Sequence, residues 1–138
     1  MKTLIKKWNG KGIQDDLIYT SEEFNSFARQ FFNAVKREFP DDEVVNRSRG
    51  HYDLSCYVKR GDQFVYVSFS VPRGEYPLDM SRRDPIGGIL IRRAKDEKDY
   101  TGASNHFTSF FSFREDVESL FNSRNPFKKR GEQYVCIN

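Results

Sequence analysis

Two histidines, His51 and His106, are the side chains of this sequence best suited to carry a proton near neutral pH. Lys95 and Lys98 lie close to His106 in sequence and carry the charge that would hold a phosphate. A small metal-free ribonuclease uses such a set, with one imidazole as base and the other as acid. An isolated histidine in a loop or at a strand edge is ordinarily polar surface, so this stays an alternative and no catalytic residue is assigned. Asp84, followed by Asp96-Glu97-Lys98, has the residue types of the acid-plus-lysine core of restriction-type nucleases. That core needs its two halves on adjacent strands, and here the second half falls in a turn-rich stretch. Asp41-Asp42-Glu43 reads as a solvated turn, and no Gly-rich phosphate loop, CxxC pair or HExxH occurs. No metal and no cofactor is expected. Cys56 and Cys136 both sit in apolar runs, which predicts buried free thiols in a reducing compartment.

Binding chemistry is better represented. Tyr57, Tyr66 and Phe64 fall on one face of a predicted hairpin beside Lys59 and Arg60. Aromatic rings on a sheet, flanked by cations, can stack single-stranded bases and hold their phosphates. Arg82, Arg83, Arg92 and Arg93 would extend the phosphate track. The platform works only if that face is open; a covering segment would turn the tyrosines into a second core. Protein binding uses the same residue types. The expected partner contacts are Arg82, Arg83, Arg92 and Arg93, together with Lys95, Lys98, Tyr100, Asn105 and His106 of the polar stretch 95–106.

The element that must position these groups is the hairpin around Gly61-Asp62. A glycine opening a two-residue loop suits a type II′ turn and pairs Arg60 with Gln63. Val58/Val65, Cys56/Val67, Leu54/Phe69 and Tyr52/Val71 then share an apolar face. Lys59/Phe64, Tyr57/Tyr66, Ser55/Ser68 and Asp53/Ser70 share the other, and a one-residue slip would mix the two faces. Upstream, Thr20 and Glu23 form a capping box before a helix whose apolar stripe is Phe24, Phe27, Ala28, Phe31, Val35 and Phe39, stopped by Pro40. Short runs at Thr3–Trp8 and Asp15–Tyr19 are possible strands, and Val44–Arg49 leads into the hairpin. Pro72–Pro85 is a long connection, Ile86–Ile91 a strand, and Lys95–His106 a loop anchored by Phe107, Phe110 and Phe111. Ser112 and Glu115 form a second capping box for a short helix burying Phe113, Val117, Leu120 and Phe121. A polar-basic loop over 122–130 and a last strand at Gln133–Ile137 complete the chain. This predicts one α+β domain over residues 1–138, with an antiparallel, hairpin-centred sheet and one long and one short helix packed mainly on one face.

Composition agrees with a folded chain. Thirteen phenylalanines and 15% aromatic content argue against disorder, and basic and acidic residues are balanced along the chain, so no segment reads as a basic arm or acidic tail and the acidic surface of a DNA mimic is absent. The absence of an apolar run long enough for a signal or a membrane span predicts a cytoplasmic protein.

The run Ile89-Leu-Ile-Arg-Arg-Ala-Lys-Asp-Glu-Lys-Asp-Tyr-Thr-Gly-Ala-Ser-Asn-His-Phe107, with Gly50-His-Tyr-Asp-Leu-Ser55, resembles small proteins of phages and conjugative elements of Gram-positive bacteria. The likeness spans roughly residues 20–121 and carries no catalytic motif. Such elements encode inhibitors of host defence, anti-CRISPR proteins among them. The resemblance implies a non-enzymatic blocker of a host nucleoprotein complex. Many such inhibitors are acidic mimics of DNA, and this chain departs from that pattern. Contact with guide RNA, or with a mixed RNA–protein surface, is therefore the expectation.

Overall fold

The computed structural model describes residues 1, 4, 22–49, 54–70, 89–130 and 133–136. Its elements are α1 (Glu22–Glu38), β1 (Glu43–Ser48), β2 (Leu54–Arg60), β3 (Gln63–Phe69), β4 (Ile89–Ala94), β5 (His106–Thr108), α2 (Phe113–Asn122), β6 (Phe127–Arg130) and β7 (Gln133–Cys136). Strands β1 to β5 form one antiparallel sheet in chain order, and β6 and β7 form a separate two-stranded sheet. Both helices pack against the five-stranded sheet, so the fold is α+β.

The hairpin has the predicted register from Arg60↔Gln63 to Leu54↔Phe69. Gly61 has φ +61°, while Asp62 is not among the positive-φ residues, as a type II′ turn requires. The apolar face carries Leu54, Cys56, Val58, Val65, Val67 and Phe69, continued on β4 by Ile89 and Ile91. Helix α1 buries every member of its predicted stripe against that face. Its last turn closes with the Phe39 amide donating to Val35 and Lys36 carbonyls, immediately before Pro40. Phe27, Phe31, Phe69 and Phe110 form an aromatic cluster with ring centroids 5.3 to 6.2 Å apart. Each such ring contributes about 1.5–3 kcal/mol through its removal from water. Burial pushes the Cys56 thiol up to about 12, so it is a protonated core side chain rather than a nucleophile.

Two arginines at one end of this face fasten α2. Arg60 gives paired hydrogen bonds to Asp42 (3.0 and 2.8 Å) and to Glu118 (2.9 and 2.7 Å). Its guanidinium also lies 4.3 Å from the Phe121 ring centre. The hydrogen bonds to Glu118 and Asp42 raise the Arg60 pKa, and Arg60 holds the Glu118 carboxyl below its ordinary range. Arg93 pairs with Val65 in the ladder and so points to the same face. It donates to the C-terminal α2 carbonyls of Leu120 (2.7 Å) and Ser123 (3.4 Å), and to Gln63 Oε1 (2.9 Å). A buried cation at a helix C-terminus satisfies carbonyls that the helix itself leaves open.

Some local expectations are corrected. Ser112 does precede α2, but its side chain makes no cap bond; its hydroxyl meets Ser109 Oγ at 2.9 Å instead. Residues 127–130 are strand β6, not loop, because they have β7 as a partner. The fourth strand runs to Ala94, and a three-residue strand at His106–Thr108 pairs with it. Phe110 is buried, but Phe107 and Phe111 are 38% and 57% exposed and do not anchor the loop. Of the possible strand at Thr3–Trp8 only Leu4 is described, and it is helical; Asp15–Tyr19, Thr20 of the first capping box, the Tyr52/Val71 pair and the connection Pro72–Pro85 lie outside the described residues.

Replacing Arg93 by alanine removes the cap on α2 and leaves Gln63 unpaired. A loss of about 2 kcal/mol is expected in urea unfolding, with α2 amides losing hydrogen-exchange protection first. An unchanged midpoint would show that the guanidinium adds nothing to the packing of α2.

Candidate functional site

The outer face of the sheet is covered. Tyr57 and Tyr66 are paired on β2 and β3, and both are fully buried. The segment 95–105 folds back over them. Its Tyr100 ring meets both tyrosines edge-on, at 6.0 and 6.1 Å, and Tyr57 meets Tyr66 at 5.2 Å. The Tyr57 hydroxyl donates to the Asp99 carbonyl at 2.9 Å, and burial raises its pKa. The aromatic platform predicted for stacking bases is therefore an internal layer. Phe64 is half-buried with the Lys59 ammonium 5.8 Å from its ring, and Arg60 is engaged on the opposite face with α2. The platform's condition, an open face, is not met.

One carboxylate organises the covering segment. Asp99 Oδ1 accepts from the Thr101 amide (3.2 Å), the Thr101 hydroxyl (3.0 Å) and the Gly102 amide (2.8 Å). Its Oδ2 accepts from the Lys95 amide at 3.0 Å. Burial disfavours the charged form, but these donors outweigh it and hold the Asp99 carboxyl below its ordinary value. Gly102 follows at φ +56°, and a Cβ there would meet the Arg93 carbonyl oxygen at 2.7 Å and Arg92 Cδ at 2.9 Å. Glycine is required on both counts. The Ala103 amide then donates to the Arg93 carbonyl at 3.0 Å, tying the loop to β4.

Arg92 and Arg93, expected as partner contacts, are 4% and 3% exposed. The reason is the same for both: each has internal acceptors that a surface arginine lacks. Arg92 lies 4.4 Å from the Tyr66 ring centre and donates to Asn105 Oδ1 (3.0 Å) and the Tyr100 carbonyl. Lys95, Lys98, Asn105 and His106 are exposed, and Tyr100 is 37% exposed. Arg82, Arg83, Asp84 and His51 lie outside the described residues.

What the loop and β5 do present is aromatic. Among the described residues the exposed large hydrophobics are Tyr100, Phe107 and Phe111, and all three belong to the segment 100–111. The segment is fixed at both ends by buried groups, Asp99 before it and Thr108 to Phe110 within it. Thr108 donates to Asp116 Oδ2 at 2.5 Å, which locks β5 to α2. Beside Phe107, a cleft of about 230 Å³ is lined by Ile91, His106, Asp116, Ser119 and Leu120. Sequence reasoning placed Phe107, Phe110 and Phe111 as loop anchors; of the three only Phe110 is buried, against Phe31 and Phe69. Among the described residues no cluster of His, Cys, Asp or Glu has the arrangement to hold a metal ion, and no helix is long and apolar enough to cross a membrane.

No protein-family model, curated protein or solved structure matches this chain.

Two substitutions test the loop. Gly102→Ala is expected to cost about 2 kcal/mol or more, from the left-handed φ and the backbone collision together. Asp99→Asn is expected to cost about 2 kcal/mol near neutral pH, since an amide presents a donor where four donors converge. Because the native pKa is depressed, the carboxylate's advantage is present above about pH 4 and is lost as pH falls through its native value. The gap between wild type and Asp99→Asn in urea titrations should therefore narrow on acidification; a constant gap would deny the carboxylate its role.

Proposed function

We propose that this protein is a non-enzymatic binding protein that docks a macromolecular partner through the segment 100–111. The observation that supports it is that, among the described residues, the exposed large aromatic side chains, Tyr100, Phe107 and Phe111, fall in one stretch held by buried groups. Aromatic side chains supply most of the energy at protein interfaces, and a preformed backbone spares the cost of ordering it on binding. Lys95, Lys98, Asn105 and His106 stand around these rings as a polar rim. The resemblance to proteins of phages and conjugative elements supplies the partner class, a host defence nucleoprotein complex whose action the bound protein blocks.

The test is capture from a Gram-positive host lysate, with and without ribonuclease, by the wild type and by a Phe107→Ser/Phe111→Ser variant. Both side chains project from the surface, so the variant should melt with the wild type. Recovery of a defence nuclease in both ribonuclease conditions, lost in the variant, is the expected result. Equal recovery by the variant would move the interface elsewhere. A nuclease recovered only before ribonuclease treatment would make RNA, not the aromatic segment, the point of contact.

A further inference from the structure

The opposite edge of the sheet carries a site that the 100–111 surface does not use. Strand β1 pairs regularly with β2 at Val44↔Val58 and Val45↔Tyr57, then resumes at Ser48↔Ser55. Two residues, Asn46 and Arg47, therefore stand opposite Cys56 alone. This is a β-bulge, and Asn46 takes its left-handed position at φ +50°. Asparagine tolerates that conformation better than most residues. The extra residue reverses the alternation of everything after it. Without the bulge Arg47 and Arg49 would point to the outer face; with it both turn toward α1. Arg47 stacks on Phe32, its guanidinium carbon 5.9 Å from the ring centre, and Arg49 donates to Asn25 Oδ1.

Asn25, Arg29, Phe32 and Lys36 recur at helical spacing and form one stripe along α1. Arg29 thus lies on the helix between the two residues that receive Arg49 and Arg47. All three arginines are exposed, and among the described residues none meets a carboxylate. Lys36 continues the stripe, but its ammonium is engaged by the Pro40 and Asp42 carbonyls at 3.1 and 2.6 Å. Glu22 and Glu43 are at opposite ends of the seam, at the starts of α1 and β1.

We infer that the Arg29–Arg47–Arg49 seam binds single-stranded nucleic acid by its phosphates. Three exposed cations drawn to one seam, with no carboxylate on them among the described residues, form a positive track that a flexible phosphate backbone can follow. Guanidinium forks match phosphate oxygens in pairs, and the stack on Phe32 and the bond to Asn25 hold two of the forks in place. Among the described residues no aromatic face is open beside them, since Phe32 is 6% exposed beneath Arg47. The grip is therefore on the backbone, with little preference for base sequence.

The experiment is fluorescence anisotropy of the full chain with a labelled 20-nucleotide oligouridylate, its deoxy counterpart and a DNA duplex, over a range of salt. Wild type should bind both single strands more tightly than the duplex. Arg29→Gln, which removes a charge without removing a hydrogen bond or ion pair to any described residue, should weaken binding several-fold at unchanged melting temperature. Arg29→Gln/Arg47→Gln/Arg49→Gln should weaken it at least tenfold and reduce the log–log salt slope by about 2, at roughly 0.7 per phosphate contact on a single strand. Arg124→Gln, an exposed arginine just beyond α2 and outside both surfaces, should bind like wild type. No binding by wild type, no effect of Arg29→Gln, or equal competition by polyglutamate would overturn the assignment, the last in favour of an acidic protein partner.

Discussion

The hydrogen bond from the Tyr57 hydroxyl to the Asp99 carbonyl is the contact on which the second half of this molecule depends. A tyrosine taken wholly out of water must find an acceptor for its hydroxyl, or its burial is unfavourable. Strand pairing puts Tyr57 and Tyr66 side by side on the face away from the helices, where no helix carbonyl or core carboxylate is at hand. The acceptor comes from a loop some 40 residues away in sequence, held in position by the Asp99 carboxylate beneath it. Asn46 adds a hook from the other side, donating to the Glu97 carbonyl (2.6 Å) and the Tyr100 hydroxyl (3.0 Å). The loop is thus fastened to β1, β2 and β4 at once. That is why a segment so rich in charge is ordered, and why its aromatic residues are presented in fixed positions.

Register propagates these effects across the sheet. Once Arg60 is opposite Gln63, the side of every residue on β2 and β3 is decided, and β4 follows by pairing. Arg92 and Arg93 are neighbours in sequence and go to opposite faces. Arg93 joins the helix side and caps α2; Arg92 joins the tyrosine side and lies on Tyr66. Each guanidinium keeps its Nε buried without a hydrogen-bond partner. An unpaired donor inside a protein is costly, so both sites depend on the acceptors that remain. The two layers of the protein are joined through these adjacent residues, and loosening the loop or α2 would strain the same short strand.

The hairpin, both helices and their buried stripes were legible because their signals are local: a glycine at a turn, strict alternation, and a 3.6-residue repeat ending at Pro40. The covering loop was not. Asp96, Glu97 and Asp99 look alike in sequence, yet among the described residues the Asp96 carboxylate accepts only from the Lys98 amide while Asp99, followed by Thr101 and Gly102, gathers four donors. Its role is set by long-range contacts that leave no periodic trace. Arg93 was legible in principle, because it is in phase with Ile89 and Ile91 on the apolar face. A charge in phase with a core stripe is either misplaced or partnered, and here a helix end supplies the partner. Phe107 and Phe111 illustrate the converse limit: residue type suggested burial, while the short strand and the turn that follow it turn both rings outward.

The bulge at Asn46 links the two edges of the sheet. Edge strands generally carry charge or irregular backbone to prevent pairing with another sheet, and β1 has both. Edge protection alone would be served by arginines on either face, and by a bulge anywhere along the strand. It does not require that Arg47 and Arg49 point together toward α1, nor that α1 offer an amide, a ring and a third arginine in line with them. Those features cost solvation and electrostatic repulsion among like charges, with no carboxylate among the described residues to offset it. An anion from outside the fold would. The same asparagine that aims this cluster also bonds to Tyr100, the first aromatic residue of the opposite surface. The bulge residue thus has contacts on both sides of the molecule: its backbone turns Arg47 toward α1 and its side chain ties the covering loop to β1.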